Sequence, residues 1–194
     1  MSKASRALTL LLLLVPAGAQ AADNLDCIDV GYSEAESASL FRFVGSYGLS
    51  DWKDDRRIDP EIEAAIVRRV KECANKHDWS YEAIMQAISY KIGEILWSGL
   101  DQNTVLEPEQ MAQLRDAYSN SDKARLIEIM RPAVDAIYSS GFVPPPSDED
   151  TRYLNEHITG RAGLPITADV TAYVGAWLLT QGMMQIPKDR FSSL

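Results

Sequence analysis

Glu156, His157 and Arg161 are the residues of this chain whose types and spacing come closest to a catalytic set. A histidine beside a carboxylate can act as a general base, and an arginine four residues later can hold an anion. The amides at the start of a following helix, near Thr167, could complete a small anion site. The competing interpretation is structural, because basic side chains at a helix C-terminus offset the helix dipole. A hydrolase-type enzyme that uses Glu156, His157 and Arg161 is therefore one hypothesis.

The motifs that usually identify a reaction are missing from the sequence. There is no G-x-S-x-G nucleophile elbow, no H-E-x-x-H zinc motif, no C-x-x-C-H haem attachment and no glycine-rich phosphate loop. The acidic trio Asp148, Glu149 and Asp150 lacks the ligand spacing of a calcium loop, and it suits the positive end of a helix instead. We therefore expect no metal and no cofactor, and we assign no catalytic residue.

Three further side chains are candidates for binding, in addition to His157 and Arg161. Trp52 lies in a charged segment that we predict to be a loop, so it could be an exposed contact residue. Lys91 and Glu94 are three residues apart on a predicted helix. They form either a surface ion pair or a polar pair that lines a ligand cavity. The other side chains expected around such a cavity are Tyr90, Trp97 and Trp177.

The stretch 78–99 is the element around which we expect the other helices to pack. Its apolar residues recur at helical spacing and predict one broad buried face. Ser80 is a predicted N-cap, and Gly99 is a predicted left-handed stop. The predicted buried face consists of Tyr81, Ile84, Met85, Ile88, Ile92, Ile95 and Leu96.

The remaining sequence also has helical periodicity, and no segment alternates with the period of a strand. Ser33 and Glu36 match the capping box, and Asp59 before Pro60 is typical of a helix start. Together these signals predict an all-α fold, a single compact bundle of about seven helices. The predicted helices outside 78–99 span 33–47, 59–75, 107–118, 122–140, 147–159 and 167–181.

The first 21 residues have the pattern of a secretory signal peptide. Lys3 and Arg6 precede an apolar run from Ala7 to Val15, and small residues follow at the cleavage positions. The run is shorter than the about 20 residues needed to span a bilayer. We expect a periplasmic or secreted protein whose mature chain, residues 22–194, is one all-α domain.

Cys27 and Cys73 are the two cysteines of the chain. In an exported protein such a pair most simply forms one disulfide, and the C-x-x-C spacing of a redox pair is absent. Cys73 shares a helix face with Ile62, Ile66 and Val70, so Cys27 must be drawn toward the core to meet it. The chain-entropy model assigns this bridge a stabilisation of about 4 kcal/mol.

The charge of the mature chain limits its partners. Loss of Lys3 and Arg6 leaves 17 basic and 28 acidic residues, a net charge of −11. An acidic surface repels phosphate backbones and anionic lipid, so we expect no nucleic-acid partner. Residues 170–187 carry no charge, but their polar side chains make them a poor membrane span. We expect no stable membrane insertion after signal cleavage.

Three functions are compatible with these observations. We favour an exported, non-catalytic α-helical domain that binds a protein partner or assembles with itself, because catalytic sets are absent and the last helix is apolar. The first alternative is a small-molecule carrier with a cavity between the central and C-terminal helices. The second is the hydrolase-type enzyme described above.

Overall fold

The computed structural model describes residues 22–139 and 143–194, which form an all-α bundle as predicted. The predicted signal peptide and the end of the predicted helix 122–140 lie outside these residues. A short 3-10 helix, Leu25–Asp29, comes first, and a π-helical turn, Asn155–Thr159, follows α7. The α-helices are α1 Glu34–Ser46, α2 Leu49–Lys53, α3 Pro60–His77, α4 Tyr81–Gln102, α5 Pro108–Ser119, α6 Lys123–Ser139, α7 Asp148–Leu154 and α8 Ala168–Ser192.

Four of the predicted helix starts have capping hydrogen bonds, whereas Asp59 makes none although α3 does begin at Pro60. The Ser33 amide donates to the Glu36 carboxylate at 2.7 Å, and the Glu36 amide donates to the Ser33 hydroxyl at 3.3 Å. Ser80, Ser147 and Thr167 each accept from the amide three residues later. These side chains satisfy amides that have no partner within the first turn.

The predicted disulfide between Cys27 and Cys73 is present, with a Cα–Cα distance of 5.9 Å. Cys73 lies on the buried face of α3, which is the face that the sequence predicts. The bridge holds residues 22–32, which we call the strap, across α3 and α4. Ile28 of the strap is fully buried in the core. The strap is therefore part of the packed structure and not a loose lead-in.

Helix α4 is central, and its main neighbour is α8. The two helices approach closely at Gly93, where a Cβ atom would lie 2.7 Å from the backbone of Met183. The prediction that Gly99 ends the helix is wrong, because α4 continues to Gln102. A Cβ atom at Gly99 would lie 2.8 Å from the Cβ atom of Tyr47. This glycine therefore allows α1 to pack closely on α4 and does not provide a left-handed turn.

Two other boundaries differ from the prediction. The segment 50–58, predicted to be a loop, begins inside helix α2, which is anchored by buried Leu49 and by an Asp51 carboxylate that accepts from the Gly48 amide at 2.9 Å. Helix α8 passes the predicted end at Gln181 and runs to Ser192. Its last turns bury Phe191 against other parts of the core, and this packing sustains the helix beyond its uncharged stretch.

The described helices include none that is long and apolar enough to cross a membrane.

Candidate functional site

The outer face of α4 carries exposed apolar side chains. Tyr81 is 78% exposed and Met85 is 43% exposed, although both were predicted to be buried. The first turns of α4 bury Ala83 and Ala87 instead, because small side chains let neighbouring helices approach closely. The larger apolar face of this half of the helix is consequently left at the surface.

These side chains form a narrow seam, which we call the α4 stripe and define as Tyr81, Met85, Ile88 and Ile92. Their spacing of four, three and four residues places them on one side of the helix. Ile88 and Ile92 are half-buried. The stripe extends about 16 Å along the helix axis. It has the residue types and spacing that a second helix would pack against.

The same line of residues continues beyond the stripe to Ile95 and Gly99, and helix α1 packs on this continuation. Ile95 is 5% exposed, and Gly99 lies against Tyr47 at the end of α1. The side-chain amide nitrogen of Asn103 donates to the backbone oxygens of Val44 and Tyr47 at 2.8 and 3.0 Å, which fixes α1 to the end of α4. The seam thus has helix α1 on its C-terminal half, whereas Tyr81 and Met85 of its N-terminal half remain exposed.

An aromatic residue of α6 borders the stripe. The Tyr138 hydroxyl donates to the backbone oxygen of Ser89 at 3.1 Å, and 41% of Tyr138 remains exposed. Burial of the hydroxyl raises the pKa of Tyr138 to about 12. The phenol is therefore neutral at physiological pH, and this border of the stripe carries no charge.

Lys91 lies under the strap, on a different face of α4. The residue is only 8% exposed, and its ammonium group lies 2.6 Å from Glu94 and 2.9 Å from Asp29. Burial alone would lower the pKa of Lys91, but the hydrogen bonds and charges of the two carboxylates raise it overall. Lys91 and Glu94 do form an ion pair. Because the lysine is buried, the pair is not the surface ion pair that was one of the two predicted arrangements. No local sequence pattern identifies Asp29 as a partner of Lys91, because the two residues are 62 positions apart.

Two buried polar atoms around the strap have no hydrogen-bond partner. They are the Tyr32 hydroxyl and the Arg69 Nε atom. The Lys91 ammonium lies 5.9 Å from the centre of the Tyr32 ring. Burial raises the pKa of the Tyr32 phenol, and the positive charge of Lys91 partly offsets this effect. Local sequence patterns do not reveal this cluster, because its members come from three separate elements.

Trp52 lies in α2, not in a loop, and it is half-buried against the core. Close by, an open depression of about 460 Å³ separates α2 from the start of α8. Its wall includes the ion pair between Lys53 and Asp169 at 2.8 Å, in which both side chains are largely exposed. The depression is mainly lined by small and charged groups, and Trp52 is not among them.

The three residues of the enzyme hypothesis lie in or just after the π-helical turn and contact different neighbours. The His157 ring packs on Tyr153 at 4.4 Å, and Arg161 donates to the backbone oxygen of Asn120 at 3.1 Å. Glu156 is exposed. Within residues 22–139 and 143–194, no hydrogen bond or ion pair joins any two of Glu156, His157 and Arg161. These contacts lend no support to the enzyme hypothesis.

The aromatic residue of α8 expected to line a cavity is instead part of the core. Trp177 is 2% exposed, its ring nitrogen donates to Asp101 at 3.2 Å, and its ring packs edge-on against Tyr118. Since α4 and α8 also meet at Gly93, the packing between these helices gives no support to a ligand cavity there. Trp97 has a buried ring nitrogen without a hydrogen-bond partner, and Tyr90 is half-buried.

The part of the chain that the structure describes contains no group of three acidic, histidine or cysteine side chains that could hold a metal ion. No protein-family model matches the chain, and neither curated proteins nor solved structures gave a match.

Proposed function

We propose that the protein is an exported, non-catalytic helical domain that binds another protein through the α4 stripe. The observation that carries this proposal is the exposure of Tyr81 and Met85 on a seam whose other half is covered by α1. An exposed apolar surface bordered by polar groups is typical of a protein-binding site. The occupant that fits is the apolar face of a helix, because it would extend the packing that α1 begins.

The size of the stripe indicates a transient complex. Stable complexes bury about 800 Å² on each partner, which is more than one stripe of 16 Å can provide (about four side chains). In such small interfaces a few large side chains contribute most of the binding free energy. Tyr81 and Met85 are the side chains expected to do so here.

The charge of the chain favours a different protein over a second copy. With the predicted signal peptide removed, each copy has a net charge of −11, so two copies repel each other. A partner helix with an apolar face and basic flanks would avoid this repulsion and associate faster. Self-assembly through the same stripe remains the second form of the proposal.

Site-specific photocrosslinking tests the proposal. A photoreactive side chain at position 81 should give a defined crosslinked product in envelope extract, and the same side chain at exposed Gln113 of α5 should not. Met85→Glu should reduce crosslinking from position 81 at least tenfold, because a carboxylate would have to be desolvated in the interface. Gln113→Glu adds the same charge elsewhere and should have no effect.

Two results would reject the proposal. One is a protein that remains strictly monomeric by light scattering and gives no product specific to position 81. The other is a product that forms equally well in the Met85→Glu variant, provided that circular dichroism shows the variant to be folded.

A further inference from the structure

The strap is attached to the bundle by one covalent bond and a small set of polar contacts. Besides the disulfide, the Cys27 backbone oxygen accepts from Arg69 at 2.7 Å, and the Asp23 backbone oxygen accepts from the Trp79 ring at 3.0 Å. Asp29 reaches Lys91 at 2.9 Å, the Gly31 backbone oxygen accepts from Arg68 at 3.3 Å, and the Cys27 sulfur accepts from Arg69 at 3.4 Å. Ile28 is the one fully buried side chain of residues 22–32. Ala22, Leu25 and Cys27 also pack against the core, but each is only partly buried. Apolar burial therefore holds this segment mainly through Ile28.

The closed strap also leaves polar groups unsatisfied. The Tyr32 hydroxyl and the Arg69 Nε atom are buried without a hydrogen-bond partner. Water would satisfy both atoms if the strap moved away, so their burial opposes the closed state. The ordering of an eleven-residue segment opposes it as well, through lost conformational entropy.

We propose that the Cys27–Cys73 disulfide acts as a redox latch, which keeps the strap closed over Lys91 and releases it on reduction. The bridge is covalent, so unlike the hydrogen bonds of the strap it does not have to compete with water. Without it, the remaining contacts must outweigh both the entropy of ordering and the two orphaned polar atoms. Release uncovers the Lys91 ammonium and the part of the core that Ile28 covers. The inference goes beyond the proposed function and does not depend on it.

The geometry determines how reduction would proceed. Cys73 is fully buried, whereas Cys27 is half-buried, so a thiolate must attack the Cys27 sulfur. Attack by a dithiol forms a mixed disulfide at Cys27, and Cys73 leaves as a thiolate that takes up a proton. The second thiol of the reductant then displaces Cys27, which also becomes a thiol. The reductant is oxidised to its disulfide, and two electrons and two protons pass to the protein.

Acylation of lysine side chains measures the opening of the strap. The full mature protein is treated with an amine-reactive ester before and after reduction by a dithiol, and each lysine is followed by mass spectrometry. We expect the labelling rate of Lys91 to rise at least tenfold on reduction. The rate for exposed Lys53, which lies far from the strap in sequence and on α2, should stay constant. Circular dichroism should stay helical, and the amides of α8 should stay protected from hydrogen exchange.

A variant with Cys27→Ser and Cys73→Ser provides the second arm. Its Lys91 should label at the fast rate without reductant, and a dithiol should change nothing; if this variant does not fold, the chemically reduced protein alone decides. If mass spectrometry shows complete reduction and the labelling rate of Lys91 is nevertheless unchanged, the proposal is overturned. Loss of helical signal and of α8 protection together with strap opening would also overturn it, because the disulfide would then support the whole fold.

Discussion

At the scale of single residues, Lys91 is the most unusual side chain described. A lysine that is only 8% exposed must have partners, and here it has two, Glu94 from its own helix and Asp29 from the strap. Both carboxylates remain partly open to water, with 29% and 40% of their side chains exposed. Water weakens the interaction, so the cluster should contribute less than a fully buried ion pair.

Replacement of Lys91 tests how much the cluster stabilises the fold. Lys91→Ala removes the shared cation and leaves two carboxylates close together, so we expect the free energy of unfolding to fall by about 2–3 kcal/mol. Lys53→Ala removes one partner of an exposed ion pair and should cost under about 0.5 kcal/mol. Urea denaturation at neutral pH measures both values. Equal effects of the two substitutions would contradict the structural role of Lys91.

At the scale of helices, two glycines on the α4–α8 pair have opposite surroundings. A Cβ atom at Gly93 would lie 2.7 Å from the backbone carbonyl group of Met183, which cannot move without shifting α8. A Cβ atom at Gly175, on α8 itself, would meet nothing within 4 Å. The first glycine is thus needed for close packing, whereas the second is an exposed helical glycine with no contact to preserve.

The matched substitutions Gly93→Ala and Gly175→Ala should therefore change stability in opposite directions. We expect Gly93→Ala to lower the free energy of unfolding by about 1–3 kcal/mol, because the helices must separate. Gly175→Ala should raise it by about 0.5–1 kcal/mol, because alanine is the better helix former and restricts the unfolded chain. Thermal unfolding followed by circular dichroism measures both. A stabilising Gly93→Ala would show that α4 and α8 are not in close contact.

The helices also show which parts of the structure can be predicted from sequence. Capping depends on side chains three residues apart, so Ser33, Ser80 and Thr167 could be identified from local patterns. The disulfide could be predicted because only two cysteines are present. Which face of α4 is exposed could not be predicted, because apolar residues at helical spacing identify a stripe but not whether a neighbour covers it. The prediction of a helix end at Gly99 was wrong for a related reason, since a glycine allows either a left-handed helix end or a close contact between helices.

The candidate site depends on contacts between distant parts of the chain. Lys91 and Glu94 were identified as a pair because they are three residues apart. Asp29 and Tyr32 could not be assigned to them, because the path of the strap is set by the disulfide and by the burial of Ile28. Sequence periodicity contains no information on such long-range contacts.

At the scale of the whole molecule, the negative net charge and the α4 stripe act against each other in self-association. With the predicted signal peptide removed, a net charge of −11 repels a second copy, and this repulsion extends about 30 Å at 0.01 M salt but only a few ångströms near 1 M. Burial of the stripe depends much less on salt, because it is driven by the removal of apolar surface from water. Salt should therefore reveal which force controls association.

We expect the mature protein to be monomeric at 0.01 M salt and to self-associate at least fivefold more strongly at 0.5 M, as measured by sedimentation equilibrium. Met85→Glu should abolish the increase, because it places a carboxylate within the uncharged stripe. Gln113→Glu adds the same charge on exposed α5 and should retain the increase. Association that weakens as salt is added would show that opposite charges join the copies, since apolar contacts do not respond in that direction. The stripe would then be available to a different protein and would not be the self-association surface.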